Sequence, residues 1–291
     1  MVIRRLVRGE TGPTGGPAFT DLLGICTAWG AGAMTLAPAD AAPVEIALAD
    51  IVSGKPVPPR PSHLARVSAR DAELRGIGLV AGTETTELGE WVLRSSADVG
   101  GRLLKRANSC LALGSPGVPF GQALTTLAAF YAERDRTPMA QVERGSSVEA
   151  AFEAAGWEPL GRGDALFLAA PVSRLHRLLR SQDVRPTPVQ VTASASRPQV
   201  EVRDESGMRI ASGAGLLDGD WLCVHGLAVD AAHRRRGLAT AMMAELVEWG
   251  AERGARTAWL HVETDNAPAL ALYERLGFSE HHAMRYLVPS P

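Results

Sequence analysis

The sequence predicts a mixed α/β protein (an α+β mixed sheet) made from two tandem copies of one unit, with a small all-β domain in front of them. Three observations carry that prediction. Residues 123–157 and 238–278 follow one order, helix, short strand, second helix and a Gly-aromatic stop, which is an internal repeat. A meander of strands leads into the second copy, and meander, helix, strand, helix, strand is the pattern of a mixed sheet. Ahead of both copies, residues 16–57 hold only short apolar runs cut by Gly, Pro and Asp, as short antiparallel strands do.

Taken in order, the N-terminal strands are expected at 22–29, 33–36, 44–48 and 50–52. The run Lys55-Pro56-Val57-Pro58-Pro59-Arg60-Pro61 admits neither helix nor central strand, so a stiff linker closes a first domain at residues 1–62. In the first copy, Ala123, Leu124, Leu127, Ala128 and Tyr131 form a helical stripe. A strand at 139–142 and a helix at 148–155 follow, stopping at Gly156-Trp157. The second copy opens with strands 200–203 and 208–217 across the turn Asp204-Glu205-Ser206-Gly207, then a mostly buried strand at 221–229. Its helix at 238–253 places Ala239, Met242, Met243, Leu246 and Gly250 on one face. Strand 257–262, helix 267–276 ending at Gly277-Phe278, and a last strand at 283–288 complete it. Ala132-Glu133-Arg134 matches Ala251-Glu252-Arg253, and Val142-Glu143 matches Val262-Glu263. The copies are assigned to residues 63–185 and 186–291.

Composition excludes several classes. Of 291 residues 46% are hydrophobic and 21% charged, which rules out a disordered or fibrous chain. Thirty Lys plus Arg against 32 Asp plus Glu leave a formal charge of -2, which argues against a nucleic-acid partner or an anionic-membrane anchor. Lys55 and Lys105 are the only lysines, so the abundance of Arg reads as coding bias and not as a binding signal. Cys26, Cys110 and Cys223 have no disulfide or C-x-x-C spacing and read as buried, reduced thiols. No long apolar stretch follows Arg4, Arg5 and Arg8, and the runs at 22–33 and 166–179 are broken well short of the ~20 residues that span a bilayer. A cytoplasmic protein without a membrane segment is expected. His, Cys and carboxylates are nowhere at ligand spacing, so no metal is expected.

The chemistry concentrates at Ala228-Val229-Asp230-Ala231-Ala232-His233-Arg234-Arg235-Arg236-Gly237-Leu238-Ala239-Thr240. A buried strand runs into a basic, Gly-containing turn that opens a helix. First-turn N–H groups lack internal partners and the helix dipole adds partial positive charge, so the turn suits an anion such as a diphosphate; a solvated Arg run before an ordinary helix is the alternative. On the strand before it, alternation projects Cys223, His225 and Leu227 to one face.

These residues resemble the GNAT superfamily of acyl-CoA-dependent N-acyltransferases, whose signature of Arg or Gln, two residues, Gly, one residue, Gly or Ala is met by Arg234, Gly237 and Ala239. The segment from Val262 through Asn266 and Tyr273 to Gly277-Phe278 is similar to that family's second cofactor segment, and the two motifs fall within residues 200–288. The resemblance implies an acetyl-CoA-dependent N-acetyltransferase in which a primary amine attacks the thioester directly. Backbone N–H groups of Arg235, Arg236, Gly237, Leu238, Ala239 and Thr240 would receive the diphosphate, with Arg234 and Arg236 adding charge. The edge Leu227, Ala228, Val229 would pair with the pantetheine amides, and Asn266 would bond the same arm. Tyr273 would protonate the leaving thiolate. Many members carry Glu where Cys223 stands, so His225 becomes the candidate base, with Glu263 able to hold a water instead and His281 and His282 read as exposed. The implied acceptor is a small-molecule amine or a protein lysine or N-terminal amine, and a monomer or homodimer is expected.

The first copy has Ser115-Pro116-Gly117-Val118-Pro119-Phe120 at the place of the basic turn, Phe152 at that of Tyr273, and Ser146 or Ser147 at that of Asn266. It resembles a degenerate GNAT-like domain that walls the acceptor cleft, and residues 1–62 resemble an SH3-like barrel found before such pairs in actinobacterial proteins. Two other classes stay open: a module that senses CoA thioesters without turnover, and a protein-interaction module in which the N-terminal domain recruits a partner.

Overall fold

The computed structural model describes residues 1–38, 41–56, 63–98, 100–101, 103–181 and 188–290. It divides into two compact units, Met1–Ser62 and His63–Pro291. The expected linker beyond residue 56 and the expected boundary at 185/186 lie outside the described residues.

In the first unit, β1 (Val2–Thr11), β2 (Pro17–Leu23), β3 (Ile25–Gly30), β4 (Ala33–Ala37), β5 (Val44–Ala47) and β6 (Ile51–Lys55) form two three-stranded sheets, ordered β2-β1-β6 and β3-β4-β5. Ile3, Met34, Leu36 and Ile46 form their core. No ladder joins the two sheets among the described residues, so in place of the expected SH3-like barrel there are two small separate sheets. β1 was missed because its arginines mask the alternation: Arg4 pairs with Asp21 and Arg8 with Asp50 across exposed faces. The apolar run at 22–29 is two strands, split at Gly24, where an added Cβ would lie 2.6 Å from the Ala37 carbonyl oxygen.

The second unit is organised on one twelve-stranded sheet. Its elements are α1 (Ala69–Leu74), β7 (Glu84–Leu88), β8 (Trp91–Ser95), β9 (Cys110–Leu111), α2 (Phe120–Ala132), β10 (Ala140–Glu143), α3 (Ser147–Ala154), β11 (Trp157–Pro159), β12 (Ala165–Pro171) and α4 (Val172–Ser181). There follow β13 (Gln190–Ala193), β14 (Pro198–Arg203), β15 (Arg209–Asp218), β16 (Trp221–Val229), α5 (Leu238–Glu252), β17 (Thr257–Glu263), α6 (Ala267–Arg275) and β18 (Ser279–Pro289). The order across the sheet is β13-β14-β15-β16-β17-β12-β18-β10-β9-β8-β7, with β11 on β18.

The two copies exchange strands. β12 belongs to the first copy in sequence yet lies beside β17 of the second, from Ala165↔Glu263 to Pro171↔Thr257. β18 starts on β12 and ends on the first copy, pairing Val142↔Arg285 on β10 and Glu158↔Val288 on β11. The near-continuous apolar run of β12 fits this place, because a central strand is covered on both faces.

α5 packs Met242, Met243, Leu246 and Val247 onto one face of this sheet beside Leu222, Val224 and Leu260. Gly250 lets the helix approach closely: a Cβ there would sit 2.8 Å from the Leu222 side chain. The opposite face carries Trp221, Cys223, Trp259 and Phe167, the last two stacked at 4.7 Å.

Candidate functional site

The parallel pairing of β16 and β17 runs only through Trp221↔Thr257, Leu222↔Ala258 and Cys223↔Trp259. Beyond that point the strands part, although β16 continues to Val229 and β17 to Glu263. β16 stays bonded to β15 on its other side up to Ala211↔Val229. Its edge toward β17 therefore presents backbone groups that the sheet does not satisfy.

A bulge changes what this edge offers. Ala228 faces Ser212 and His225 faces Ala214, so Gly226 and Leu227 together oppose Gly213, with Gly226 at φ +63°. The expectation that Cys223, His225 and Leu227 share a face is thereby corrected. Leu227 and Val229 turn toward the α5 core with Leu222 and Val224, while Cys223 lies in the opposite core with Trp221 and Trp259.

The turn into α5 begins where the Asp230 N–H bonds Ile210 O at 2.9 Å and a 3-10 turn spans Ala231–His233. Arg235 (φ +61°) and Gly237 (φ +81°) both take left-handed backbone, and Gly237 is the N-cap of α5 without a side-chain cap. The buried Leu238 and Thr240 anchor the first turn, while the N–H groups of Leu238, Ala239 and Thr240 precede any intrahelical acceptor. Arg234 donates its Nε to Val229 O at 3.2 Å. Arg235 and Arg236 are exposed and form no ion pair among the described residues. A concave run of backbone donors with three guanidinium groups around it fits a diphosphate.

Asn266 caps α6, its Oδ1 accepting from the Ala269 N–H at 3.3 Å, which leaves its amide NH2 for a ligand. Tyr273 is largely buried in the α5-side core, edge-on to Phe278 at 5.6 Å. Its hydroxyl bonds no described residue, and burial raises its pKa, keeping the phenol protonated.

On the opposite face, a cleft of about 1030 Å³ opens where β16 and β17 part. His225, Gly226 and Glu263 line it from the second copy, and Arg94, Arg106 and Tyr286 are among the residues closing the far side. His225 makes no hydrogen bond to a described residue. Burial, then the charges of Arg197 and Arg106, lower its pKa, so it is a neutral imidazole at pH 7.

The cleft also reveals a buried network absent from the sequence reading. Glu73 of α1 receives His261 Nε2 at 2.6 Å and His282 Nε2 at 3.2 Å on Oε1, and Gln141 Nε2 at 3.5 Å on Oε2. Burial alone would raise the Glu73 carboxyl, but the two imidazoles and the Arg106 charge hold it well below the usual range. His261, which lines the cleft, is driven down to about 4 by burial and Arg106. A carboxylate facing a neutral ring fixes the proton on Nε2, leaving His261 Nδ1 buried and unpaired. His282 is 5% exposed, His281 half-buried with its Nε2 3.0 Å from Leu64 O, which corrects the expectation that both are exposed. The one available signal was His261 alternating with Trp259 and Glu263 on one strand; Glu73 sits on a six-residue helix too short to show a period.

A family model described as the probable histone acetyltransferase Rv0428c C-terminal matches residues 70–287. The [ribosomal protein bS18]-alanine N-acetyltransferase of Escherichia coli K12 is 42% identical over 64 residues, 22% of this chain and 43% of that protein. Mycothiol acetyltransferase of Clavibacter sepedonicus is 44% identical over 64 residues, 22% of this chain and 21% of its own length. The chain thus spans less than half the length of these curated relatives. Among solved structures, a GCN5-related N-acetyltransferase from Kribbella flavida superposes with a TM-score of 0.58 at 20% identity, covering 79% of this chain and 96% of its own. A tandem GNAT protein from the clavulanic acid biosynthesis pathway gives 0.51 at 17% identity, covering 76% and 89%. Both likenesses concern the fold.

Proposed function

The chain belongs to the family of the probable histone acetyltransferase Rv0428c C-terminal region, with a GNAT fold, and from that premise we propose that it transfers an acetyl group from acetyl-CoA to an amine. The observation that carries the reading is the parting of β16 and β17 immediately before the turn into α5, which pairs an open strand edge with a helix N-terminus rich in free N–H groups. In this reading the backbone from Arg235 to Thr240 holds the diphosphate, and the β16 edge and Asn266 hold the pantetheine arm. The thioester then reaches the gap between the strands, the passage between the α5 face and the cleft.

His225 accepts the proton that the amine sheds as its nitrogen bonds the acetyl carbon; the C–S bond breaks and Tyr273 gives its proton to the departing sulfur. A neutral imidazole and a protonated phenol are the states these roles need. The first copy supplies cleft wall and no cofactor site. Relatives are named as a ribosomal protein bS18-alanine N-acetyltransferase and a mycothiol acetyltransferase, which supports an amine acceptor here.

Calorimetric titration with acetyl-CoA, beside thiol release in the presence of mixed amines, tests the reading. One-site binding with turnover is expected. Binding without turnover would favour a CoA-thioester sensor, and no binding would reject the assignment.

A further inference from the structure

The cleft is far more cationic than the chain. Arg94, Lys105, Arg106, Arg162 and Arg197 line it, against Glu263 and Asp265. None of the five cations pairs with a carboxylate among the described residues. Their hydrogen bonds go to neutral groups: Arg94 to Ser109 O, Ser109 Oγ and Gln141 Oε1, Arg197 to Leu79 O at 3.3 Å and Gly78 O, Lys105 to Arg162 O at 3.4 Å. Arg94 is 1% exposed, and the buried Glu73 carboxylate, reached through Gln141, is a single negative charge that acts on both Arg94 and Arg106. Arg106 has its Nε buried and without a partner. One buried carboxylate without a direct ion pair offsets only part of this positive charge, and a planar fork is the group that holds a further carboxylate or phosphate through two bonds. The two carboxylates, by contrast, are exposed at the end of β17, near the parting strands.

We infer that the acceptor is a small amine that also carries an anionic group, held by Arg106 and Arg94 in the cleft, with its ammonium end drawn toward Glu263 and Asp265 before it loses a proton. This deepens the acetyltransferase reading and rests on it. A lysine-rich tail or a polyamine would meet five like charges.

The test uses the full chain and pairs of acceptors that differ only in charge: L-amino acids against their carboxamides, phosphoethanolamine against ethanolamine, and spermidine and a lysine peptide as cationic arms. Thiol release is followed in wild type, Arg106→Gln and Arg106→Lys, and binding of the same compounds by calorimetry. The expected result is at least a 10-fold advantage in kcat/KM for the anionic member of a pair. Arg106→Gln should remove it through KM with kcat little changed, and Arg106→Lys should restore part of it. Acetyl-CoA affinity should be the same in all three proteins, which separates this cleft from the cofactor loop. Preference for the cationic arms, equal use of acid and amide, or no charge-dependent binding of any compound would overturn the inference. Loss of acetyl-CoA binding by the wild type would instead reject the function it builds on, and calorimetry of the anionic compounds would still decide whether the cleft selects them.

Discussion

The two copies of the α/β unit use the same elements to opposite ends. In the second, the strand before the long helix parts from its neighbour, and the turn Asp230 to Gly237 leaves Arg235 and Arg236 exposed and without an ion pair among the described residues. In the first, the turn before α2 is consumed internally: the Ser115 N–H bonds Glu90 Oε2 at 2.6 Å and the Gly117 N–H bonds Ser115 Oγ at 3.2 Å. Phe120 opens α2, and Phe152, at the place of Tyr273, stacks on Trp91 at 5.4 Å and meets Phe120 and Trp157 edge-on. One copy is filled with rings and the other is left open. The fold needs only that the space be closed, whereas the proposed thioester site needs it vacant, so under that proposal filling a copy trades binding for packing.

The sharpest way to break this comparison is to swap its glycines. Gly237→Asp puts a side chain and a negative charge at the proposed diphosphate site and strains a φ of +81°, so acetyl-CoA affinity should fall at least 100-fold by calorimetry. Gly117→Asp, at φ +71° in the first copy, should lower the melting temperature and leave that affinity unchanged. Next in size, Phe152→Ala should cost about 3–5 kcal/mol in denaturant unfolding, because a fully buried ring leaves a cavity. Tyr273→Phe should reduce kcat roughly 10- to 100-fold with acetyl-CoA binding intact. Phe152→Tyr, its mirror, should change no kinetic constant and destabilise by about 1–3 kcal/mol, since the added hydroxyl enters an all-apolar ring cluster.

The smallest effect concerns acid. His261 is lowered from 6.5 to about 4 in the folded chain, so the unfolded chain takes up that proton first and stability declines as pH falls across this window. Glu73, held below its ordinary 4.5, adds a loss at still lower pH. Melting temperatures measured from pH 7 to 4 should therefore fall, and His261→Asn should flatten the decline between 6.5 and 4.

Much of the second copy was legible in the sequence, because long periodic segments such as 238–253 and a turn with a fixed Arg and Gly spacing are local properties. What was hidden is non-local. Nothing in the apolar run of β12 announces that its partners are β17 and β18, 86 or more positions away. Period-two reasoning also placed Leu227 on the wrong face, since one extra residue at Gly226 reverses the alternation. The cationic cleft was invisible for a third reason: its arginines come from separate stretches and looked, one by one, like coding bias.

The exchanged strands bear on how this protein is made. β18 closes the second copy against β12 and the first against β10 and β11, so neither half has its last partner until synthesis has passed residue 289. A nascent chain released from the ribosome tunnel up to β12 would expose the apolar flanks of β10 and β12 with no strand to cover them, a window in which a chaperone has something to hold.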